Sequence, residues 1–150
     1  MTYPEYPAHQ ADNGECEFCG IVSGRVPSRV RYQDDELIVF HNALTWVPTM
    51  LLIAPTAHMT QAEFWRSPLF ARASALAVEL GERDAPDGFR LVSNFGDDAL
   101  QSQPHGHLHV IGGANLGLYI DFPRKGDFWL RNFGHTDVDS SKYPEAWRRR

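Results

Sequence analysis

Long hydrophobic runs are missing from this sequence of 150 residues. Its longest apolar stretches, residues 51–54 and 75–78, are far shorter than the roughly 20 residues that a membrane-spanning helix needs. The N-terminus also lacks the basic and apolar blocks of a signal peptide. We therefore expect a cytoplasmic protein that has no membrane partner.

Clustered positive charge is scarce as well. The formal net charge is −5, from 14 Lys and Arg against 19 Asp and Glu. This balance argues against binding to a nucleic-acid backbone, which requires clustered basic side chains. The one basic run, residues 148–150, is interpreted as a solvated tail. We expect no nucleic-acid partner.

Cysteine is almost absent, which excludes a fold held together by disulfides. The two cysteines present, Cys16 and Cys19, form a single Cys-x-x-Cys pair. In a chain without an export signal this spacing favours a metal or redox pair over a structural disulfide.

What is present is the composition of an ordinary globular domain, with 43% hydrophobic and 22% charged residues. Apolar alternation between turn residues predicts an antiparallel sheet in an α+β domain, and the run over residues 49–54 should lie in its middle. Helical spacing predicts one long helix that starts at Ser67-Pro68 and stops at Gly81. The predicted strands are residues 30–33, 37–40, 49–54, 89–93 and 107–111.

Three regions are expected along the chain. Residues 1–14 are predicted to be a poorly ordered lead-in, and residues 15–113 to form the domain. Residues 114–150 contain seven aromatic side chains without a clear period. Such a segment buries area only by packing on the domain or on a second subunit.

The most informative feature is the row His105-Gly106-His107-Leu108-His109. On a strand, residues two apart point to the same face, which would set the three imidazoles side by side at roughly 6.6–7 Å. A structural cluster, a three-histidine metal site and a metal-storage face are alternatives. Nucleophilic catalysis is favoured, because Ser93-Asn94 and Gln101-Ser102 lie just upstream and supply donors for a phosphate.

The row and its surroundings resemble the signature of the histidine triad family, His-x-His-x-His followed by two apolar residues. Residues 94–113 carry this match, residues 16–27 resemble the family's opening, and residues 34–40 and 51–58 fit its middle strands. The resemblance covers about residues 16–113. It implies a five-stranded antiparallel sheet with one long and one short helix, dimerising through the sheet and helix.

The resemblance also implies a function. The expected activity is that of a nucleotide hydrolase or transferase acting at the α-phosphate of a nucleoside phosphoramidate or a dinucleoside polyphosphate. His107 would attack phosphorus to form a nucleotidyl-histidine, and His109 would contact the phosphate or leaving group and assist proton transfer. The expected partners are a purine nucleotide or nucleotide conjugate and a second copy of the chain. The implied substrate-binding residues are Asn94, Gln101 and Ser102 at the phosphate, Asn42 at the ribose, and Phe18, Ile21, Phe40 and Ala43 around the base.

Zinc follows from the same resemblance. Family members with a Cys-x-x-Cys pair combine it with two histidines, which here are His58 and His105. Two thiolates and two imidazoles suit a closed, tetrahedral structural zinc site. A thioredoxin-like redox pair is the alternative, although no basic or Gly-Pro setting tunes the thiols.

Three positions depart from the family pattern. Met50 stands where a histidine is common, Asn42 replaces the usual ribose-binding aspartate, and Gly106 replaces an apolar residue. Two other functions therefore stay open. One is a nucleotide-binding regulator with little turnover, and the other is a zinc-stabilised interaction module that uses residues 114–150 as its contact surface.

Overall fold

A computed structural model describes residues 16–117 of the chain. The predicted lead-in and nearly all of the aromatic-rich extension lie outside the described residues. The larger of two compact units, Glu5–Ala114, contains all of the helices and strands named here. These are the helices α1 (Glu17–Val22), α2 (Gln61–Arg66) and α3 (Leu69–Asp84), and the strands β1 (Val30–Gln33), β2 (Leu37–His41), β3 (Thr49–Pro55), β4 (Phe89–Val92) and β5 (Leu108–Gly112).

The five strands form one sheet in the order β1-β2-β3-β5-β4, and every neighbouring pair is antiparallel. This confirms the predicted α+β fold. Strand β3 lies at the centre, and all seven of its residues are buried. A strand covered on both faces has to be apolar along its whole length, so the run without alternation correctly predicted this position.

The two faces of the sheet bury different clusters. One face packs against α2 and α3 through Val39, Leu51 and Val110, with Phe64 and Ala77 from the helices. The other face carries a smaller cluster of Ile38, Phe40, Leu52 and Ala54 from the strands, covered by Phe18 and Ile21 of α1. The segment that opens with the cysteine pair is therefore held on the sheet by apolar packing.

Helix α3 differs from its prediction at both ends. It begins one residue later, because Pro68 is the N-cap, while the Ser67 hydroxyl accepts a hydrogen bond from the Leu69 amide at 3.1 Å. It also runs through Gly81 to Asp84. A Cβ on Gly81 would lie 2.4 Å from the Phe89 ring. This glycine therefore allows β4 to approach the helix and does not end it.

Helix α2 is a second short helix, in addition to the one expected. Its start is a capping box: the Glu63 amide donates to the Thr60 hydroxyl at 3.2 Å, and the Thr60 amide donates to the Glu63 carboxylate at 2.7 Å. Such a reciprocal pair satisfies two amide groups that a helix start leaves unpaired. Within residues 16–117, no helix has the length and apolar character needed to cross a membrane.

Candidate functional site

The histidine row lies mostly ahead of its strand. Strand β5 begins at Leu108, so only His109 of the three histidines belongs to it. The expectation of three imidazoles in strand register is therefore wrong, although Leu108 and Val110 face the core as predicted. A Cβ on Gly106 would lie 2.7 Å from the Phe64 Cβ and 2.9 Å from the Thr60 carbonyl oxygen. The close approach of α2 thus explains the glycine and directs the chain away from a regular strand.

His105 is fully buried and faces the cysteines. Its Nε2 lies 2.7 Å from the Pro55 carbonyl oxygen, and its Nδ1 lies 3.5 Å from the Sγ atoms of both Cys16 and Cys19. Because a carbonyl only accepts, Nε2 carries the hydrogen and Nδ1 directs its lone pair at the thiols. An imidazole oriented in this way is ready to serve as a metal ligand.

Cys16, Cys19, His58 and His105 form one cluster whose ligand atoms all lie within 4.8 Å of one another. His58 Nδ1 lies 3.4 Å from Cys19 Sγ. Zn–S and Zn–N bonds of about 2.3 and 2.1 Å would put sulfur and nitrogen about 3.6 Å apart in a tetrahedral site. The four residues therefore fit a zinc ion in both chemistry and spacing, and they are the four that the family resemblance implied.

His107 is buried with one ring nitrogen occupied. Its Nδ1 lies 2.7 Å from the His105 carbonyl oxygen, so Nδ1 carries the hydrogen and Nε2 keeps its lone pair. Burial lowers the pKa of His107, against a smaller opposing effect of the bond to the His105 carbonyl. A neutral imidazole with a free Nε2 is the form that acts as a nucleophile.

The backbone of His107 is held by two side chains. Gln61 accepts from the His107 amide at 2.6 Å and donates to the His107 carbonyl at 2.8 Å, and the Ser93 hydroxyl donates to the same carbonyl at 2.6 Å. Ser93 was expected among the phosphate donors, and Gln61 was not expected at the site. No local pattern marks Gln61 as a partner of His107, which lies 46 residues further along the chain.

His109 lies beside His107, with ring centroids 4.9 Å apart at an interplanar angle of 69°. Burial, together with the neighbouring His107, lowers the pKa of His109 to about 4. Both imidazoles are therefore neutral at pH 7. Met50 is buried and lies opposite Ile111 in the ladder, while Leu52 lies opposite His109, so Met50 and His109 share a face of the sheet.

Three of the four residues expected around a base come together. Phe18 packs edge-on against Phe40 and against His107, with centroids 5.1 Å apart in each pair, and Ile21 belongs to the same cluster. Ala43 is exposed after the end of β2 and is not part of this cluster. The His107 ring is therefore bordered by apolar side chains on the side that faces α1.

Asn42, the residue expected at the ribose, shapes the turn after β2. Its side-chain Oδ1 accepts a hydrogen bond from the backbone amide of Leu44 at 2.9 Å, and its backbone amide donates to the Met50 carbonyl. It also borders a cavity of about 310 Å³ together with Arg29, His41 and Trp46. The single oxygen of this side chain is therefore already engaged within the protein, and only its NH₂ group can bind a further partner.

The expected phosphate-binding residues lie on the loop before the histidine row. Asn94 is half-buried and Ser102 is exposed. Gln101 is engaged within the loop, since its Oε1 accepts from the Gly96 amide and its Nε2 donates to the Gln103 carbonyl, each at 2.9 Å. The structure thus gives Gln101 a role in shaping the loop and places Asn94 and Ser102 at its two ends.

Comparisons with known proteins identify the family of the chain. A family model described as the HIT domain matches residues 23–116, which is more than half of the chain. The chain is 32% identical over 110 residues to the purine nucleoside phosphoramidase of Escherichia coli K12, covering 69% of this chain and 91% of that protein.

Solved structures show the same fold. A HIT family hydrolase from Clostridium thermocellum superposes with a TM-score of 0.65 at 27% identity, over 72% of this chain and 98% of that one. A HIT family hydrolase from Legionella pneumophila gives a TM-score of 0.60 at 29% identity, over 73% and 98% of the two chains.

Proposed function

This chain belongs to the HIT domain family, and from that premise we propose that it hydrolyses or transfers nucleotides by cleavage at the α-phosphate. The substrate is a nucleoside phosphoramidate or a dinucleoside polyphosphate. The E. coli relative carries the name purine nucleoside phosphoramidase, which favours a purine phosphoramidate. One observation carries the proposal: the bond from His107 Nδ1 to the His105 carbonyl leaves a neutral Nε2 free to attack phosphorus.

The reaction proceeds in two displacements at phosphorus. In the first, His107 Nε2 forms a bond to the α-phosphorus while the bond from phosphorus to the leaving nitrogen or oxygen breaks, and the leaving group keeps that electron pair and takes up a proton from solvent. In the second, water attacks the same phosphorus, the P–N bond to His107 breaks with its electron pair returning to Nε2, and the water gives up a proton to solvent. The two steps sum to hydrolysis and return His107 to its starting state.

His109 and the loop act at the phosphate. The neutral His109 ring lies beside His107 and donates a hydrogen bond to a phosphate oxygen or to the leaving group. Asn94 and Ser102 hold further phosphate oxygens as charge develops on them. Gln101 contributes through its hold on the loop that carries these two residues.

The nucleoside lies along the apolar wall. Phe18, Ile21 and Phe40 form the base pocket, since they meet beside His107. Asn42 follows β2 directly and borders the ribose. Asn42 offers an amide where a carboxylate would give a stronger hydrogen bond to a hydroxyl, so it binds the sugar less tightly.

A zinc ion held by Cys16, Cys19, His58 and His105 belongs to the same proposal. With four protein ligands the metal supplies a structural cross-link and not an open coordination position for substrate. The cross-link joins the start of α1, the end of β3 and the segment that carries His107. His105 is thereby unavailable for acid–base work.

The assembly and location rest on the sequence. We propose a cytoplasmic homodimer that joins through the sheet and helix. Strand β4 is an edge of the sheet, because within residues 16–117 it pairs only with β5. An exposed edge strand has unpaired backbone groups that can pair with other chains, and a second subunit would cover them.

The test compares the wild type with His107→Ala on adenosine 5′-phosphoramidate and on a dinucleoside tetraphosphate. We expect AMP release by the wild type and background release by the variant, with AMP affinity and circular dichroism preserved. Equal AMP release by the two proteins would contradict the proposal that His107 catalyses the reaction. AMP binding without turnover by the wild type would instead support the regulator, which the buried Met50 favours.

A further inference from the structure

Gln61 occupies an unusual place for a polar side chain. It is the first residue of α2, yet only 3% of it is exposed, and both ends of its amide contact the backbone of one residue, His107. The Oε1 accepts from the His107 N–H at 2.6 Å, and the Nε2 donates to the His107 C=O at 2.8 Å. A buried primary amide that pairs in this way copies the peptide group of a neighbouring strand.

The contact completes the sheet where the ladder has ended. The pairing of β3 with β5 runs only from Gly112 back to Leu108, which lies opposite Ile53. The backbone groups of His107 therefore lie just beyond the last paired residue and would be buried without partners. Leaving such buried groups unpaired is costly, because each has given up its hydrogen bond to water. Gln61 supplies both partners, and Ser93 adds a second donor at the carbonyl.

The orientation of the His107 ring depends on this backbone. The bond from His107 Nδ1 to the His105 carbonyl closes a hydrogen-bonded loop of backbone that includes Gly106. Because Gly106 has no side chain, its backbone φ and ψ angles are only weakly restricted. Contacts from other parts of the fold are therefore needed to fix these backbone angles. Most of these contacts come from α2 and the residues just before it: Gln61 holds His107, and the Met59 carbonyl accepts from the Gly106 amide at 2.8 Å. Ser93, after β4, adds the bond to the His107 carbonyl.

We propose that Gln61 is a positioning residue for the nucleophile. It aims His107 Nε2 by holding the His107 backbone from α2, and it does not touch the substrate. This role rests on the proposed function and adds to it a residue outside the histidine row. The capping box and the fully buried Phe64 keep α2 in place, so the amide of Gln61 has a rigid support.

Two substitutions separate positioning from packing. Gln61→Met keeps the length of the side chain but removes both hydrogen bonds. Gln61→Glu keeps the acceptor for the His107 N–H but turns an oxygen towards the His107 carbonyl. Gln33→Met is the matched control, because Gln33 is exposed and donates to the Val22 carbonyl, far along the chain from the histidine row.

The measurement is the single-turnover rate of AMP release per folded site, together with the Kd for AMP. A misplacement of about 1 Å can slow a reaction about a hundredfold, so we expect both Gln61 variants to slow at least about tenfold. The AMP Kd should stay within about twofold, and Gln33→Met should keep the wild-type rate. Wild-type rates in folded Gln61→Met, or an equal loss in rate and AMP affinity, would overturn the proposal.

Ser93→Ala provides an internal check. Ser93 and Gln61 donate to the same carbonyl, so their effects on the rate should be non-additive in the double variant Gln61→Met/Ser93→Ala. Additive losses would mean that the two side chains act on different groups. That result would count against a shared role at the His107 backbone.

Amide hydrogen exchange separates this proposal from the proposed function. If the wild type turns over no nucleotide, the proposed function fails and the rates carry no information on Gln61. Exchange at the His107 N–H, followed by NMR, still tests the contact. We expect Gln61→Met to speed exchange at His107 at least about tenfold, with Val110 unchanged. Unchanged exchange at His107 would overturn the positioning role by itself.

Discussion

His107 and His109 are neutral at pH 7 because burial lowers the pKa of each ring. Burial lowers the pKa of His107, and burial together with the neighbouring His107 lowers the pKa of His109 to about 4. A neutral imidazole can attack phosphorus, whereas a protonated imidazole has no free lone pair on nitrogen. The same burial makes folding sensitive to acid.

We predict that His109 destabilises the fold as the pH falls. Its pKa is near 6.5 when unfolded and about 4 when folded, so between these values the unfolded chain binds more protons. Stability is therefore full above about pH 6.5 and falls as the pH drops towards 4, by up to about 3 kcal/mol from this residue.

Urea unfolding at pH 7.5, 5.5 and 4.5 in wild type and His109→Gln checks this prediction. The variant cannot titrate at this position, so its stability should fall less steeply over the range. Because any zinc present and the other histidines remain in both proteins, the difference between the two slopes isolates His109. Equal slopes would contradict the assigned shift.

Contacts between residues far apart in the chain could not be predicted from the sequence. The period-two spacing of the histidines drew attention to His107 and His109, but the strand predicted to start at His107 begins only at Leu108, so His105 and His107 lie ahead of it. The reason is the approach of α2 to Gly106, a tertiary contact that no local pattern reveals. Gln61 was missed for the same reason, since its partner His107 lies 46 residues further along the chain.

At the scale of elements, the strands were predicted well and the helix ends were not. Apolar alternation is a direct consequence of a sheet with two distinct faces, and β3 could be recognised as central from its unbroken apolar run. The end of α3 was wrong because Gly81 was taken as a stop signal, whereas its role is to admit the Phe89 ring. Helix α2 was overlooked although Thr60-x-x-Glu63 carries a capping-box signature.

Gly81 supplies a prediction in which packing opposes helix propensity. In an exposed helix Gly→Ala stabilises by roughly 1 kcal/mol. Here a methyl group would meet the Phe89 ring at 2.4 Å, so we expect Gly81→Ala to lower the free energy of unfolding by about 1–3 kcal/mol. Thermal and urea unfolding measure it.

A second substitution gives the control for Gly81. Phe89→Leu makes room at the same contact, so Gly81→Ala should cost less in the Phe89→Leu background than in the wild type. An alanine that stabilises the otherwise unchanged protein would contradict the packing role of Gly81.

At the scale of the whole molecule, the four proposed zinc ligands connect distant parts of the chain. Cys16 and Cys19 open the described structure, His58 follows the central strand, and His105 precedes the last strand. The Cys-x-x-Cys spacing predicted a metal or redox pair. The two histidines came only from the family resemblance, because spacing along the chain does not show which side chains fold together.

We predict that protein purified without chelator contains about one zinc per chain. Removal by a strong chelator should lower the midpoint of thermal unfolding by at least several degrees, because the ion joins segments far apart in sequence. Cys16→Ser should lower both the metal content and the unfolding midpoint. Elemental analysis and calorimetry check this, and a metal-to-chain ratio near zero would contradict the assignment.

The central claim is that His107 becomes covalently bonded to the nucleotide. The most direct measurement is to mix the protein with adenosine 5′-phosphoramidate, quench within milliseconds in base to preserve the acid-labile P–N bond, and locate the adduct by peptide mass spectrometry. We predict an adenylyl group on His107, which disappears as AMP is released and is absent from His107→Ala. Turnover without an adduct on His107, or an adduct on another residue, would contradict the account.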